Sequence, residues 1–280
     1  MNGPGRVDSD VLAVVVGVAG LVLAPSGAAA GAWTLPAGEG LAIAGIEGKL
    51  ATEAYGAGGG RHPTPAFRKA ELATYFEYGL LDRLTVVVAP RLERIDIAPP
   101  NAATHTGFSH TELGARWNVA RFDPPGAGWW QGSVLSLQAS ARIPGSVEDD
   151  DPLAGAAALP EYDARMLAGT AFAVGAWTGY LDVAGGVRVR DGAPPSEARL
   201  DVTLGLRPRP DLTLMGQAFL VETIEPGTRM FPSGGYLRLQ LSTVFDIDPR
   251  WSVQLGGNAI VAGRNALAER GLLVAVWRRF

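Results

Sequence analysis

Residues Lys69–Tyr78 read KAELATYFEY, and they give the clearest indication of the fold. Their charged side chains all lie at odd positions, while their largest apolar side chains, Leu72 and Phe76, lie at even positions. Successive side chains of a β-strand point to opposite faces, so the stretch predicts a strand with one polar and one apolar face. The same separation recurs in later segments, namely 112–119, 135–143, 181–190, 199–206 and 237–242.

The alternation predicts an all-β chain that forms a single antiparallel transmembrane β-barrel of about twelve strands. The strands are expected near residues 40–55, 67–79, 84–97, 110–119, 130–143, 162–175, 179–190, 197–207, 212–222, 235–245, 251–263 and 268–280. A soluble β-sandwich is the alternative, but it would rarely contain so many strands of this length. An even number of strands places both ends of the barrel domain on the periplasmic side.

The breaks between the strands are alternately short and long, as in outer-membrane barrels. Periplasmic turns are expected at 80–83, 120–128, 176–178, 208–211 and 246–250. Outer loops are expected at 56–66, 98–109, 144–161, 191–196, 223–234 and 264–267, and the third contains the acidic run Glu148–Asp151. Six tryptophans adjoin the periplasmic turns or the C-terminus and predict an aromatic girdle there: Trp117, Trp129, Trp130, Trp177, Trp251 and Trp277.

The composition excludes several classes of function. The chain contains 0 Cys, which excludes disulfides, thiolate metal sites and cysteine nucleophiles. Its net charge of −4 argues against nucleic-acid binding. Past residue 30, no apolar run approaches the 18 or more residues of a spanning helix.

The first 30 residues are expected to be a secretory signal peptide. Residues Val11–Ala24 form an apolar region, and the small run Ala28–Ala32 follows it. Cleavage is expected after Ala30 or Ala32, which leaves a barrel domain of residues 31–280. A membrane anchor is the alternative, although the apolar region is short for one. The chain ends on Phe280, which we interpret as the assembly signal of a barrel in the bacterial outer membrane.

The histidines and serines predict neither a metal site nor an enzyme, and no cofactor is expected. His62, His105 and His110 lie at or near predicted outer loops and lack metal-ligand spacing. The nucleophile-and-base candidates are Ser109 with His110 and Ser109 with His105. Because neighbours on a strand point to opposite faces, we expect Ser109 and His110 not to form a dyad.

The ionisable side chains on the inward parity are the candidate lumen lining. They are Lys69, Glu71, Glu77, Arg91, Glu93, Glu112, Arg116, Arg142, Arg165, Asp182, Arg188, Arg190, Arg199, Asp201 and Arg238. They either pair across strands and stiffen a closed barrel or line an aqueous pore. Arginine forks suit carboxylates, phosphates and sugar hydroxyls, so a pore for neutral or mildly anionic solutes such as oligosaccharides is favoured.

Four of these arginines, Arg116, Arg142, Arg188 and Arg238, are expected to contribute to any permeation path. Two arrangements are open. The arginines pair with carboxylates of the same parity, or a surplus guanidinium ladder faces water. Pairing is the favoured outcome. The carboxylates expected as partners are Glu71, Glu112, Asp182 and Asp201.

Several phrases resemble the XagA-like outer-membrane β-barrel family, which is related to the barrel group named after the meta-pathway of phenol degradation. They are Ala32–Gly40 (AWTLPAGEG), Phe67–Leu72 (FRKAEL), Tyr75–Asp82 (YFEYGLLD), Thr111–Arg116 (TELGAR) and Gly263–Asn265 (GRN). The resemblance implies a porin-like transport barrel whose partners are outer-membrane lipid and the barrel assembly machinery. It implies either exopolysaccharide export in biofilm formation or uptake of hydrophobic aromatic compounds. A closed structural or adhesion barrel is the alternative from another class.

Overall fold

The computed structural model describes residues 31–100, 102–122, 130–145, 160–190 and 194–280. The predicted signal peptide and the acidic run Glu148–Asp151 lie outside these residues. The described regular elements are strands: β1 (Gly40–Tyr55), β2 (Arg61–Leu81), β3 (Leu84–Ile97), β4 (Ala103–Phe122), β5 (Trp130–Pro144), β6 (Glu161–Val174), β7 (Trp177–Arg190), β8 (Glu197–Arg209), β9 (Leu212–Thr223), β10 (Gly235–Asp246), β11 (Trp251–Arg264), β12 (Ala266–Leu267) and β13 (Arg270–Arg279). No helix in the described ranges is long and apolar enough to cross a membrane.

The strands form one closed antiparallel barrel. Neighbours in the chain pair with each other, and β1 pairs with both β2 and β13, which closes the sheet. The two-residue β12 pairs with β1 beyond the end of β13, so β12 and β13 share one of twelve positions around the barrel. The predicted fold is confirmed. Because the sheet closes on itself, each position around the described barrel has a neighbouring strand on both sides, as a bilayer requires.

Polar and apolar residues that alternate along the sequence point, respectively, into the barrel and out of it. On β2, Glu71 is 2 % exposed, while the next residue, Leu72, is 42 % exposed. Ile46, Leu241 and Leu272 are among the most exposed side chains, and they point outward. An apolar outer surface around a polar interior is the arrangement that suits a barrel in lipid.

Strand boundaries differ from the prediction mainly at the loop end of the barrel. Most of the predicted loop 56–66 belongs to β2, and the turn that remains is closed by the Gly56 N–H, which donates to the Gly60 carbonyl at 2.9 Å. Likewise, β4 begins at Ala103 inside the predicted loop 98–109. His62 and His105 therefore lie in strands. Cross-strand pairing continues past the point where the apolar alternation fades, which the sequence pattern does not reveal.

Of the six tryptophans predicted to form a girdle, the structure describes the side chains of four, and three of these face outward. Trp117, Trp177 and Trp251 are exposed on the outside near the ends of their strands. Trp277 is 0 % exposed and faces inward, where its Nε1 donates to Gln254 Oε1 at 3.1 Å. The prediction for Trp277 was wrong because its parity on β13 matches the inward Leu273 and Ala275. Trp129 and the side chain of Trp130 lie outside the described residues.

An N-terminal segment, residues 31–37, enters the periplasmic end of the barrel, the end that carries Gly40 and Phe280. Its residues 31–35 are buried or half-buried, and residues 36 and 37 are exposed. The Leu35 N–H donates to Thr85 Oγ1 at 2.9 Å, and Thr34 Oγ1 donates to the Asp82 carbonyl at 2.8 Å. The segment passes so close to β2 that a Cβ at Gly79 would lie 2.0 Å from the Pro36 carbonyl oxygen. Glycine at position 79 therefore permits the segment to enter the lumen.

Candidate functional site: the barrel lumen

The structure places the whole predicted set of ionisable side chains inside the barrel. All are buried or nearly so, and their carbon chains point away from lipid. They are Lys69, Glu71, Glu77, Arg91, Glu93, Glu112, Arg116, Arg142, Arg165, Asp182, Arg188, Arg190, Arg199, Asp201 and Arg238. Their positions follow from strand parity.

Both lysines of the chain lie in one network on β1–β3. Lys69 Nζ lies 2.6 Å from Glu93 and 3.0 Å from Glu71, and Glu71 also accepts from Arg91 at 2.8 Å. On β1, Lys49 pairs with Glu47 at 3.1 Å. The register places Lys49 directly opposite Lys69, so the carboxylates beside them offset the repulsion of like charges.

A larger network of five arginines and five carboxylates joins β4–β8. Asp163 lies at its centre, with Arg165 at 2.5 Å, Arg188 at 3.0 Å and Arg199 at 3.4 Å. The remaining pairs are Arg142 with Glu112 and Glu161, Arg188 with Glu161, Arg190 with Glu161 and Glu197, and Arg165 with Asp201. The formal charges cancel, so the network presents no net charge to the lumen.

The four arginines expected in a permeation path are all paired, mostly with carboxylates other than those expected. Arg116 pairs with Glu77 at 2.8 Å, and Arg238 pairs with Glu269 at 3.1 Å. Arg142 binds Glu112 as expected. Arg188 binds Glu161 and Asp163. A surplus guanidinium ladder is therefore absent from these four positions.

The opposite wall, on β9–β13, is lined largely by neutral groups. Gln240 Nε2 donates to Gln217 Oε1 at 2.8 Å, and Gln217 Nε2 donates to Thr203 at 3.2 Å. Farther around the barrel, Gln254 Nε2 donates to Ser242 Oγ at 3.0 Å. These bonds form a ladder of amides and hydroxyls between inward-facing Met215, Phe219, Val244 and Leu273.

A cavity of about 780 Å³ opens at the periplasmic end. Four aromatic side chains line it: Trp33, Phe172, Tyr180 and Trp277. The rings of Trp33 and Tyr180 meet edge to face, with centroids 6.3 Å apart. At the rim, Asp246 pairs with both Arg207 and Arg279, so the cavity has an apolar body and a paired, polar mouth.

The prediction that Ser109 and His110 point to opposite faces was wrong. A β-bulge lies at Ser109, because Arg91 pairs with His110 while Leu92 pairs with Phe108. Both side chains are therefore buried in the barrel, with Ser109 Oγ 3.1 Å from His110 Nδ1. Nε2 of His110 has no hydrogen-bond partner, and no described carboxylate orients the ring. The pair therefore lacks the third group of a catalytic triad.

Several lumen residues were missed at the sequence level. Glu47 and Lys49 share the inward parity of β1, and Glu161, Asp163 and Glu197 share that of β6 and β8, so alternation alone could have found them. Trp33 and Glu269 lie in connecting segments without such a period. No pattern in the sequence indicates that these segments enter the lumen.

Comparison with known proteins shows the fold and leaves the family open. No family model matches the chain, and no curated protein matches it. Among solved structures, the COG4313 outer membrane channel from Pseudomonas putida F1 aligns over 89% of this chain and 98% of that chain, with 14% identity and a TM-score of 0.70. The protein is a bacterial outer-membrane β-barrel.

Two other solved structures align less closely. The NanC porin has 8% identity and a TM-score of 0.47, over 83% of this chain and 98% of that chain. The toluene transporter TodX from P. putida has 10% identity and a TM-score of 0.41, over 88% and 90%. Because no family model matches, the likeness to XagA-like proteins stays a resemblance carried by the phrases quoted above.

Proposed function

We propose that this barrel is a passive outer-membrane channel for small, mainly apolar solutes with aromatic character. The observation that carries the proposal is the periplasmic cavity of about 780 Å³ with its four aromatic side chains. Ligand cavities for small molecules are concave, mostly apolar and oriented by a few polar groups, and this cavity has those properties. The overall likeness to a structure described as an outer membrane channel is consistent with the proposal.

The charge pairing of the lumen weighs against the saccharide cargo favoured by the sequence. That interpretation required guanidinium groups available to bind hydroxyls. In the structure, the arginines of the lumen pair with carboxylates. The distance between guanidinium nitrogen and carboxylate oxygen is 3.1 Å or less for Arg116, Arg142 and Arg238. The alternative interpretation, uptake of hydrophobic aromatic compounds, needs no free cation and agrees with the aromatic cavity.

Single-channel recording in a planar bilayer tests the proposal. The purified barrel should pass steady current, and benzyl alcohol on the periplasmic side should produce brief blockades that the same concentration of glucose does not. An aromatic solute should reside longer than a sugar in a cavity that supplies ring contacts in place of free hydrogen-bond donors. Blockade by glucose alone would favour saccharide cargo, and electrical silence would favour a closed structural barrel.

A pair of tyrosine variants connects the blockade to the cavity. Tyr180→Ala removes a ring from the cavity wall and should shorten the benzyl alcohol blockades several-fold. Tyr162→Ala is the matched control, because Tyr162 is 57% exposed on the outer face of β6. Equal blockades in both variants would move the aromatic site away from this cavity.

A further inference from the structure

Asp182 differs from every other buried carboxylate among the described residues, since no lysine or arginine side chain pairs with it. The others each lie within 3.1 Å of a lysine or arginine nitrogen: Glu47, Glu71, Glu77, Glu93, Glu112, Asp163, Glu197, Asp201 and Glu269. Asp182 projects inward from β7 and is 7% exposed. The charge of Arg116 acts on Asp182, but that guanidinium is bound to Glu77 at 2.8 Å. A buried carboxylate without an ion-pair partner of its own is costly, so this position calls for one.

The start of the N-terminal segment lies directly against this carboxylate. The Ala32 N–H donates to Asp182 Oδ2 at 2.5 Å, and the Ala32 carbonyl accepts from Ser136 Oγ at 2.5 Å. A Cβ at Gly31 would lie 2.4 Å from Oδ2, and Gly31 has a φ of +94°. Only glycine fits there, and its nitrogen, one bond from that α-carbon, lies within roughly 5 Å of the carboxylate.

The sequence is compatible with signal-peptide cleavage at either of two sites, and the contacts of Asp182 distinguish between them. Small residues precede the bond after Ala30 and the bond after Ala32 alike. Cleavage after Ala32 would remove both Gly31 and the Ala32 N–H that binds Asp182. Cleavage after Ala30 would retain both and would convert the nitrogen of Gly31 from an amide into a cation.

We propose that the peptide bond between Ala30 and Gly31 is the processing site and that the ammonium group released there is the cationic partner of Asp182. Hydrolysis consumes one water molecule. The carbonyl carbon of Ala30 gains the oxygen and leaves with the signal peptide as a carboxylate, and the nitrogen of Gly31 takes up protons to become an ammonium group. The resulting ion pair latches the N-terminal segment inside the periplasmic end of the lumen. This proposal does not depend on conduction.

Mass spectrometry of the protein purified from outer membranes tests the first half of the proposal. The expected mature N-terminus is Gly31. A chain that begins at Trp33, or one that retains residues 1–30, would overturn the proposal. This measurement reads the processing site whether or not the barrel conducts.

Acylation of amines tests the ion pair, and the chain supplies its own internal standards. The mature protein would contain three primary amines: the α-amine of Gly31 and the side chains of Lys49 and Lys69, which are buried in the lumen. In the folded wild type, an amine-reactive ester should label Gly31 at least ten-fold more slowly than in urea-unfolded protein. Equal rates in the folded and unfolded states would overturn the latch.

Two aspartate variants complete the test. In Asp182→Asn, labelling of Gly31 should rise several-fold, while protection of Lys49 and Lys69 shows that the barrel is folded. Asp96→Asn is the matched control, because Asp96 pairs with Arg94 away from the lumen, and Gly31 should stay protected in it. Unchanged protection of Gly31 in folded Asp182→Asn would overturn the ion pair. If that variant does not fold, the wild-type comparison decides.

Discussion

The two sides of the lumen are both buried, but one is lined mainly by charged side chains and the other mainly by neutral ones. The charged wall, on β1–β8, contains arginines, lysines and carboxylates joined into networks. The neutral wall, on β9–β13, contains amides, hydroxyls and apolar side chains between two ion pairs, Arg238 with Glu269 near the loop end and Arg279 with Asp246 at the periplasmic rim. Both walls are buried, yet one depends on cancellation of charge and the other on hydrogen bonds between neutral groups.

The difference indicates which wall a solute would contact. A buried ion pair is strongly held because removal of one partner leaves the other uncompensated. The charged wall is therefore suited to fix strand positions. Both walls reach the aromatic cavity: β6 and β7 contribute Phe172 and Tyr180, and the neutral wall contributes Thr213, Val244 and Trp277. We infer that the charged wall is structural and that a solute would move along the neutral wall.

The largest effect is expected from breaking the charged wall. Arg188→Met removes a fully buried guanidinium that pairs with Glu161 and Asp163. It should lower the free energy of unfolding by about 3–5 kcal/mol, because the two carboxylates lose a partner in the interior. Urea unfolding in detergent measures the change, with the heat-dependent mobility of the barrel on gels as the readout of the folded fraction.

The control for this variant removes the same guanidinium from an exposed pair. Arg94 pairs with Asp96 near the loop end of β3, and both side chains are substantially exposed. Arg94→Met should leave the urea midpoint nearly unchanged. Similar midpoints for Arg188→Met and Arg94→Met would contradict a structural role for the charged wall.

A smaller effect on stability but a clear effect on current is expected where the neutral wall meets the cavity. Thr213→Trp places an indole in the cavity and should reduce single-channel conductance several-fold, because it narrows the path along that wall. Thr243→Trp is the matched control, since Thr243 lies on the neighbouring strand and faces outward. A fall in conductance in both variants, or in neither, would show that the cavity is outside the path.

Most of the fold could be predicted from the sequence, but less of the lumen site could, and the reasons are physical. The number of strands, and the side of the barrel to which each side chain points, follow from the two-residue period of each strand taken by itself, as in residues 69–78. Pairing partners depend on register across strands. Parity therefore brought Arg188 inward but did not show that it would bind Asp163 instead of Asp182 or Asp201.

Features that interrupt the two-residue period could not be predicted from the sequence. The bulge at Ser109 turns two neighbouring side chains to one face, which simple alternation forbids. The N-terminal segment has no strand period, so nothing in AWTLPAGEG indicates that it binds inside the lumen. Both features depend on contacts between residues far apart in the chain.

The same substitution on the two walls distinguishes a structural wall from a wall that a solute follows. Gln138 lies on the charged wall beside Arg116, whose Nε donates to it at 3.0 Å, whereas Gln240 lies on the neutral wall beside Gln217. Glutamate replaces glutamine with almost no change in shape. At position 138 the new charge would meet a guanidinium, and at position 240 it would meet an amide.

Reversal potentials in a KCl gradient should therefore separate Gln138→Glu from Gln240→Glu. We predict that Gln240→Glu shifts the channel toward cation selectivity, because the nearby Arg238 is already paired with Glu269 and the new carboxylate adds a negative field to the path. Gln138→Glu should shift it much less. Equal shifts, a larger shift for Gln138→Glu, or no steady current in either variant would contradict a permeation path along the neutral wall.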